Sequence, residues 1–303
     1  MSHLVCIGLG YSAETLAGAL ASVGWRITGT SRSAEGAAAI AARGHVGVHW
    51  PAFPARPAET GERQSVGSAV RAVDAALYDA THLLVSAPPD ASGDPVLAAF
   101  ESTLAACRGL TWVGYLSTIG VYGDCRGAWV DERLPAQPGT ERSRRRLAAE
   151  LAWLAFGRRT GVAVQVFRLA GIYGPGRSVV DQLRAGTARR IVKPGHMFNR
   201  IHVEDIAGAL KASIARPRAG AVYNVTDDEP AAASDVVAFA AELMGLAPPP
   251  AVPFAEAQLS EMGRSFYEES KLVRNDLLKR ELGLELRHPT FREGIAALLR
   301  GNS

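Results

Sequence analysis

The chain has 303 residues, of which 48% are hydrophobic and 21% charged, enough to bury the core of one large domain or of a domain with a smaller lobe. Its net charge of +3 is too small to indicate a nucleic-acid partner, and no apolar run reaches the roughly 20 residues that a membrane helix needs. Three widely spaced cysteines lack metal-ligand spacing and the first apolar run is too short for a signal peptide, so we expect a cytoplasmic protein with reduced thiols and no metal site.

Short β-rich runs alternate with Ala/Leu-rich helical stretches through the first 170 residues. Six strands are predicted at Leu4–Gly8, Trp25–Thr30, Val46–His49, Thr81–Ser86, Thr111–Leu116 and Val162–Leu169. Helices are predicted at Ser12–Val23, Ala34–Arg43, Pro95–Cys107 and Glu141–Phe156. This alternation predicts an α/β fold of the Rossmann type, with a doubly wound parallel sheet covered by helices on both faces.

The second half of the chain changes character, because residues 170–199 are rich in glycine, arginine and turn signals. Further elements are predicted as helices at Glu204–Ala215 and Ser234–Met244, a strand at Ala221–Val225, and two tail helices around a strand at Leu284–Leu286. We predict a dinucleotide-binding domain at 1–170, joined by about 201–227. A smaller C-terminal substrate lobe would contain 171–200 and 228–303. The proline-interrupted stretch Arg56–Arg63 is predicted to be a surface loop.

A glycine-rich turn follows the first predicted strand, with the sequence Gly8-Leu9-Gly10-Tyr11-Ser12-Ala13. Gly8 permits a tight turn, Gly10 lets a pyrophosphate approach the backbone, and Ala13 lets the helix pack closely on the strand. The helix that begins with Tyr11 and Ser12 points its amides and its positive dipole end at the phosphates. A strand before the motif and a helix after it are the context that a dinucleotide site requires.

The end of the second predicted strand indicates which dinucleotide binds. A site that prefers NAD(H) usually has an acidic residue there for the ribose 2′-hydroxyl, whereas this chain has Thr30, Ser31 and Arg32, with no acid before Glu35. Two hydroxyls and a guanidinium suit a 2′-phosphate. We therefore favour NADP(H) over NAD(H); the alternative is that Arg32 is a solvated loop residue.

Four motifs appear in order along the chain: LSTIGVYGD at 116–124, FRLAGIYGPG at 167–176, RIHVEDIA at 200–207 and YNV at 223–225. They resemble motifs of the extended short-chain dehydrogenase/reductases, the NAD-dependent epimerase/dehydratase family, and the resemblance covers essentially the whole chain. It implies that Thr118 orients the substrate carbonyl and contacts the cofactor, and that Leu169 lies near the nicotinamide ring. Ser86, Ala87 and Pro88, at the end of the fourth strand, are expected to border the pyrophosphate and the nicotinamide ribose.

One departure from the family pattern concerns proton transfer. The family's helix usually carries Y-x-x-x-K, in which the tyrosine is the general acid/base, but this chain has Arg142 and Arg146 at those positions. Arg142 cannot transfer a proton near neutral pH, although it can stabilise an anion. We predict that Arg146 holds the ribose hydroxyls of the cofactor. For Arg142, an electrostatic role and a solvated first turn of the helix stay open.

Tyr122 is the first candidate to replace the missing tyrosine, because it follows the carboxyl end of the fifth strand, where such sheets bind their ligands. The alternative is a ring packed under the substrate lobe. Tyr173 and His202 are weaker candidates by the same reasoning.

Two functions follow from these observations. The first is an NADP(H)-dependent oxidoreductase or epimerase/dehydratase-like enzyme, whose small-molecule substrate would be anionic, such as a nucleotide-sugar, because Arg177 and Arg200 lie in the expected substrate region. The second is a non-catalytic NADP(H)-binding sensor or scaffold, motivated by the missing tyrosine. The resemblance also implies a homodimer formed through the helices at Pro95–Cys107 and Glu141–Phe156.

Overall fold

The computed structural model of the chain describes residues 1–51 and 60–301. Its strands are β1 (His3–Ile7), β2 (Arg26–Ser31), β3 (Val46–His49), β4 (His82–Val85), β5 (Trp112–Thr118), β6 (Trp129–Val130), β7 (Ala163–Leu169), β8 (Gly171–Tyr173), β9 (Arg190–Val192), β10 (Arg200–His202), β11 (Val222–Val225), β12 (Ala251–Pro253) and β13 (Leu272–Val273). Its helices are α1 (Tyr11–Ala21), α2 (Ala34–Ala42), α3 (Thr60–Tyr78), α4 (Pro95–Ala106), α5 (Glu141–Thr160), α6 (Val179–Arg184), α7 (Val203–Ala215), α8 (Ala233–Leu243), α9 (Glu261–Ser265), α10 (Asp276–Leu282) and α11 (Phe291–Arg300). None of the helices in the described part of the chain combines the length and apolarity that a membrane span requires.

Seven strands form one parallel sheet in the order β3-β2-β1-β4-β5-β7-β11. The chain runs from β1 to β3 at one edge and then returns to place β4 beside β1, with helices in the crossovers. This is the topology of a doubly wound Rossmann fold, so the predicted fold class is confirmed. Because helices cover such a sheet on both faces, its strands are almost continuously apolar; β1, for example, is buried at every position.

The short elements β6, β8, β9, β10, β12, β13, α6 and α9 were not predicted, and two larger differences concern α3 and the tail. The helix α3 was missed; the predicted loop Arg56–Arg63 overlaps its start, and residues 56–59 of that loop lie outside the described residues. Val73 and Leu77 are fully buried at a helical spacing, and this was the signal that could have revealed the helix. In the tail, α10 and α11 form as predicted, but the predicted strand Leu284–Leu286 is wrong: these residues connect the left-handed Gly283 to the loop before α11.

The chain divides into two compact units. The first contains residues 1–117, 144–167 and 210–222, and its core includes Trp153, which stacks on Tyr115 and meets Phe156 edge to face. The second contains residues 118–143, 168–209 and 223–303, with a core around Phe291 and Ile295 of α11. The predicted boundaries of a dinucleotide domain and a substrate lobe stay a prediction.

Candidate functional site

The turn between β1 and α1 requires glycine at its first position. Gly8 has a φ of +88°, and a Cβ atom built on it would lie 2.7 Å from Oγ of Ser86. Its amide donates to Oγ1 of Thr30 at 2.8 Å, while its carbonyl accepts a hydrogen bond from the Ser86 hydroxyl. The ends of β2 and β4 therefore hold this turn in one conformation.

The second glycine of the turn leaves space instead of filling it. A Cβ atom on Gly10 would have nothing within 4 Å, and Gly10 is the N-cap of α1 without a side chain that caps the helix. The first amides of α1 thus have no capping side chain, which leaves a helix N-terminus suited to an anion. Ser12 and Ala13, in the first turn of α1, are buried. This turn fits the pyrophosphate of a dinucleotide.

At the end of β2, the three residues expected to meet a 2′-phosphate have different environments. Thr30 is 3% exposed and its hydroxyl accepts from the amide of Gly8, so it helps to shape the glycine turn; its contact with a phosphate stays a prediction. Ser31 is half-buried, and its Oγ lies 3.4 Å from the amide of Ser33. Arg32 is exposed at the surface. Of the three, Arg32 is the group best able to reach a phosphate.

The nearest acid after β2 is engaged in the start of α2. Glu35 lies in the first turn of this helix, whose N-cap Ser33 accepts a hydrogen bond from the amide of Gly36. Hydrogen bonds from its own backbone amide and from the Ser33 hydroxyl lower the pKa of Glu35. The carboxylate therefore interacts with the first turn of α2, where a negative charge also suits the helix dipole.

The residues after β4 lie beside the glycine turn. The amides of Ser86 and Ala87 both donate to the carbonyl of Ile7, at 3.0 and 3.1 Å, so these two residues are bound to the carboxyl end of β1. Pro88 is exposed. The arrangement brings Ser86 to Gly8, as the prediction that both border the same cofactor requires.

The guanidinium of Arg146 is bound within the protein. Its Nη1 atom donates to the hydroxyl of Tyr115 at 3.1 Å and to the carbonyl of Leu116 at 3.0 Å, and the group lies 5.6 Å from the Tyr115 ring centroid. These contacts fix the end of β5 to α5. Arg142, near the start of the same helix, has its guanidinium 5.4 Å from the ring of the exposed Phe266. Neither arginine supplies a group that can exchange protons.

Thr118 and Tyr122 lie at the two ends of a 3₁₀ turn that follows β5. Oγ1 of the half-buried Thr118 accepts from the amide of Gly120 at 3.1 Å. Tyr122 is 2% exposed, its hydroxyl donates to Oδ1 of Asn224 at 2.8 Å, and Arg168 lies over its ring. Burial raises the pKa of Tyr122 despite the nearby charge of Arg168. These contacts fit a packed ring better than a proton donor.

Comparisons with known proteins agree with this geometry. A sequence model of the NAD-dependent epimerase/dehydratase family matches residues 8–226. The chain belongs to this family. It is similar over its full length to a functionally unknown conserved protein from Silicibacter pomeroyi DSS, with 48% identity, complete coverage of both chains and a TM-score of 0.85.

Two further relatives span nearly the whole chain. Protein YeeZ from Escherichia coli K12 is 28% identical, over 95% of this chain and 97% of its own. The structure of the human epimerase family protein SDR39U1 with NADPH has 16% identity and a TM-score of 0.71, and covers 98% of this chain and 99% of that one. At that identity the likeness shows the fold. The family binds a nicotinamide cofactor, and the turn from Gly8 to Ala13 is the part of this chain that fits one.

The structure shows the environments of the predicted residues Arg200 and Leu169, and of Asp227, which sequence reasoning did not single out. Arg200, expected near an anionic substrate, donates from Nη1 to the carbonyls of Phe198 and Ala231 and is thus used within the fold. Asp227 is 1% exposed; burial raises its pKa to about 8, although the charge of Arg200 opposes that shift. Leu169, at the end of β7, is buried. No local sequence pattern distinguishes a buried aspartate in the run TDDEP from an ordinary turn residue.

Proposed function

We propose that the protein is an NADP(H)-dependent oxidoreductase of the epimerase/dehydratase family that acts on a small molecule. The observation that carries this proposal is the β1–α1 turn, with a sterically required Gly8, open space at Gly10 and an uncapped helix N-terminus. The preference for NADP(H) rests on the exposed Arg32 after β2 and on the interaction of Glu35 with the first turn of α2. A guanidinium can bind a 2′-phosphate through two charge-assisted hydrogen bonds.

The cofactor preference is tested by measuring the dissociation constants of NADPH and NADH for the wild type, Arg32→Ala and the control Arg43→Ala. Arg43 is also an exposed arginine of the first unit, but it pairs with Glu14. A charge-assisted bond of about 1.5–3 kcal/mol corresponds to a roughly 10- to 150-fold loss of NADPH affinity. NADH affinity should stay unchanged in both variants. Equal wild-type constants for the two cofactors, or tighter NADH, would contradict the preference.

The residues of the first unit that would hold the cofactor are Gly8, Gly10, Tyr11 and Ser12 at the pyrophosphate, and Ser86, Ala87 and Pro88 after β4. When bound, the cofactor supplies or accepts the hydride. Thr118 would orient a substrate carbonyl. Its Oγ1 accepts from the Gly120 amide, so that hydrogen bond does not use its O–H, which can donate to a carbonyl oxygen. Arg146 already fixes the end of β5, and any contact with the ribose would use its remaining donors.

Tyr122 is the proposed proton donor. In Tyr122→Phe, a fall in kcat at constant KM would identify the hydroxyl as the donor. An unchanged kcat with lower stability would identify the packed ring instead, which the hydrogen bond to Asn224 favours. Thr118→Ala should lower kcat/KM, since the residue would contact the substrate.

The second candidate function is a non-catalytic NADP(H)-binding protein. It is favoured by the contacts of three residues that the family pattern brings into question: Arg142 lies over Phe266, Arg146 donates to Tyr115 and Leu116, and Tyr122 donates to Asn224. A panel of aldehydes, ketones and sugar nucleotides separates the two functions. Turnover at background with NADPH, together with a rise in melting temperature on adding NADPH, would support the binder and exclude the enzyme for those substrates.

A further inference from the structure

Two histidines and a glutamate converge in the second unit, although the sequence places them up to 86 positions apart. His202 ends β10, Glu204 lies in the first turn of α7, and His288 precedes α11. One potential ligand atom from each residue lies within 4.8 Å of the other two. Nitrogen and oxygen ligands about 2.0–2.2 Å from a tetrahedral metal lie roughly 3.4 Å from one another. Side-chain rotations that move the ligand atoms by about an ångström would therefore bring all three to coordinating distance.

We propose that His202, Glu204 and His288 form a binding site for a divalent transition-metal ion such as Zn²⁺. Two imidazoles and one carboxylate are a donor set that Zn²⁺ accepts, and they leave a fourth position for water. The site would link the β10–α7 corner to the segment before α11.

The backbone around His288 is already fixed in the position that the site needs. Asp205, next to Glu204 in α7, accepts from the amides of Arg287 and His288 at 2.6 and 3.1 Å. A carboxylate that binds two successive amides fixes the orientation of that segment. Nε2 of His288 lies 2.9 Å from Oε2 of Glu204, and the ring centroids of His288 and His202 are 3.9 Å apart. A metal ion would replace the hydrogen bond between His288 and Glu204.

His202 has a nitrogen whose binding capacity the described residues do not use. The residue is 2% exposed, and Nε2 is buried without a hydrogen-bond partner among those residues. Nδ1 accepts only a long hydrogen bond, 3.3 Å from the amide of Glu204. Either tautomer can present a lone pair to a metal: Nδ1 by releasing that bond, or Nε2 after the ring proton shifts.

The charges and the exposure around Glu204 bear on metal binding. Nη1 of Arg287 lies 3.1 Å from Oε2 of Glu204, so this cation opposes a metal and should weaken binding. Glu204 is 38% exposed, which gives an ion access from solvent.

The test uses the full chain after treatment with a chelator and titration with Zn²⁺ or Co²⁺ alone. We expect one equivalent to bind per chain, with a rise in melting temperature and, for Co²⁺, the visible absorption of a low-coordinate site. His288→Asn and Glu204→Gln should each weaken binding at least tenfold, whereas the control His45→Asn, in the first unit, should not change it. Arg287→Gln should tighten binding about threefold or more, because a nearby positive charge is removed.

The partly exposed Glu204 and the loop residue His288 provide the decisive variants, since replacement of the buried His202 can prevent folding. Circular dichroism of each metal-free variant verifies its fold before titration. Absence of saturable binding at micromolar Zn²⁺ would overturn the proposal. Saturable binding that is equally tight in His288→Asn and Glu204→Gln would assign the ion to another place and overturn it as well.

Discussion

Substitution of the two glycines of the β1–α1 turn by alanine should separate folding from cofactor binding. In Gly8→Ala, a φ of +88° costs an L-residue about 1–2 kcal/mol. The new Cβ, 2.7 Å from Oγ of Ser86, would also displace a hydroxyl that donates to the Gly8 carbonyl, a bond of about 0.5–1.5 kcal/mol. We expect Gly8→Ala to lose roughly 2–3 kcal/mol of unfolding free energy, together with NADPH affinity.

Gly10→Ala is the matched control for stability. The φ of Gly10 is −97°, which alanine adopts, and its Cβ would meet nothing within 4 Å. The lower backbone entropy of the unfolded alanine variant, about 0.4–1 kcal/mol, offsets the poorer N-cap. Stability should therefore change by less than about 1 kcal/mol. NADPH affinity should still fall tenfold or more, because the methyl group takes the space of the pyrophosphate.

The assay combines urea unfolding of the cofactor-free proteins with fluorescence titration of NADPH. The two variants should differ in stability alone: Gly8→Ala loses both unfolding free energy and NADPH affinity, whereas Gly10→Ala loses only NADPH affinity. NADPH binding of wild-type strength by Gly10→Ala would refute the assignment of this turn as the pyrophosphate site. Wild-type stability of Gly8→Ala would refute the steric argument at the first glycine.

Three further predictions concern the groups around β5 and β11. Arg146→Ala should lose about 1–3 kcal/mol of unfolding free energy in urea without cofactor, because its hydrogen bonds to Tyr115 and Leu116 are lost, whereas the exposed control Arg108→Ala should not. Unchanged stability with weaker NADPH binding would instead assign Arg146 to the cofactor. Tyr122→Phe should lose about 1–2 kcal/mol by the same measurement, since Oδ1 of Asn224 loses its donor, and equal stability would contradict this role. The folded-state pKa of Asp227, about 8, lies above its ordinary value of 3.8, so its stabilising contribution is complete below about pH 4 and is lost as the pH rises to about 8. Asp227→Asn should therefore reduce the fall in urea midpoint between pH 5 and pH 8, and an identical fall in both proteins would show that another group causes it.

The sequence by itself determined the architecture and the location of the glycine-rich turn between β1 and α1. The alternation of apolar strands with amphipathic helices specifies a parallel sheet, because each strand must be covered on both faces. The requirement for glycine at Gly8 is local in part: the φ of +88° belongs to the turn itself, whereas the close approach of Ser86 Oγ comes from a distant segment. The residues of this turn could still be predicted from the local sequence pattern alone.

Only the tertiary structure decided which of these polar groups are available for chemistry. The sequence predicts Thr30 and Arg146 as cofactor ligands; in the fold the Thr30 hydroxyl accepts from Gly8, and Nη1 of Arg146 donates to Tyr115 and Leu116, so any cofactor contact would use their remaining hydrogen-bonding groups. Conversely, His288 lies 86 positions from His202 and carries no motif, yet the amides held by Asp205 bring the two rings together. Hydrogen-bond partners and burial depend on contacts between distant segments, and local patterns do not encode them.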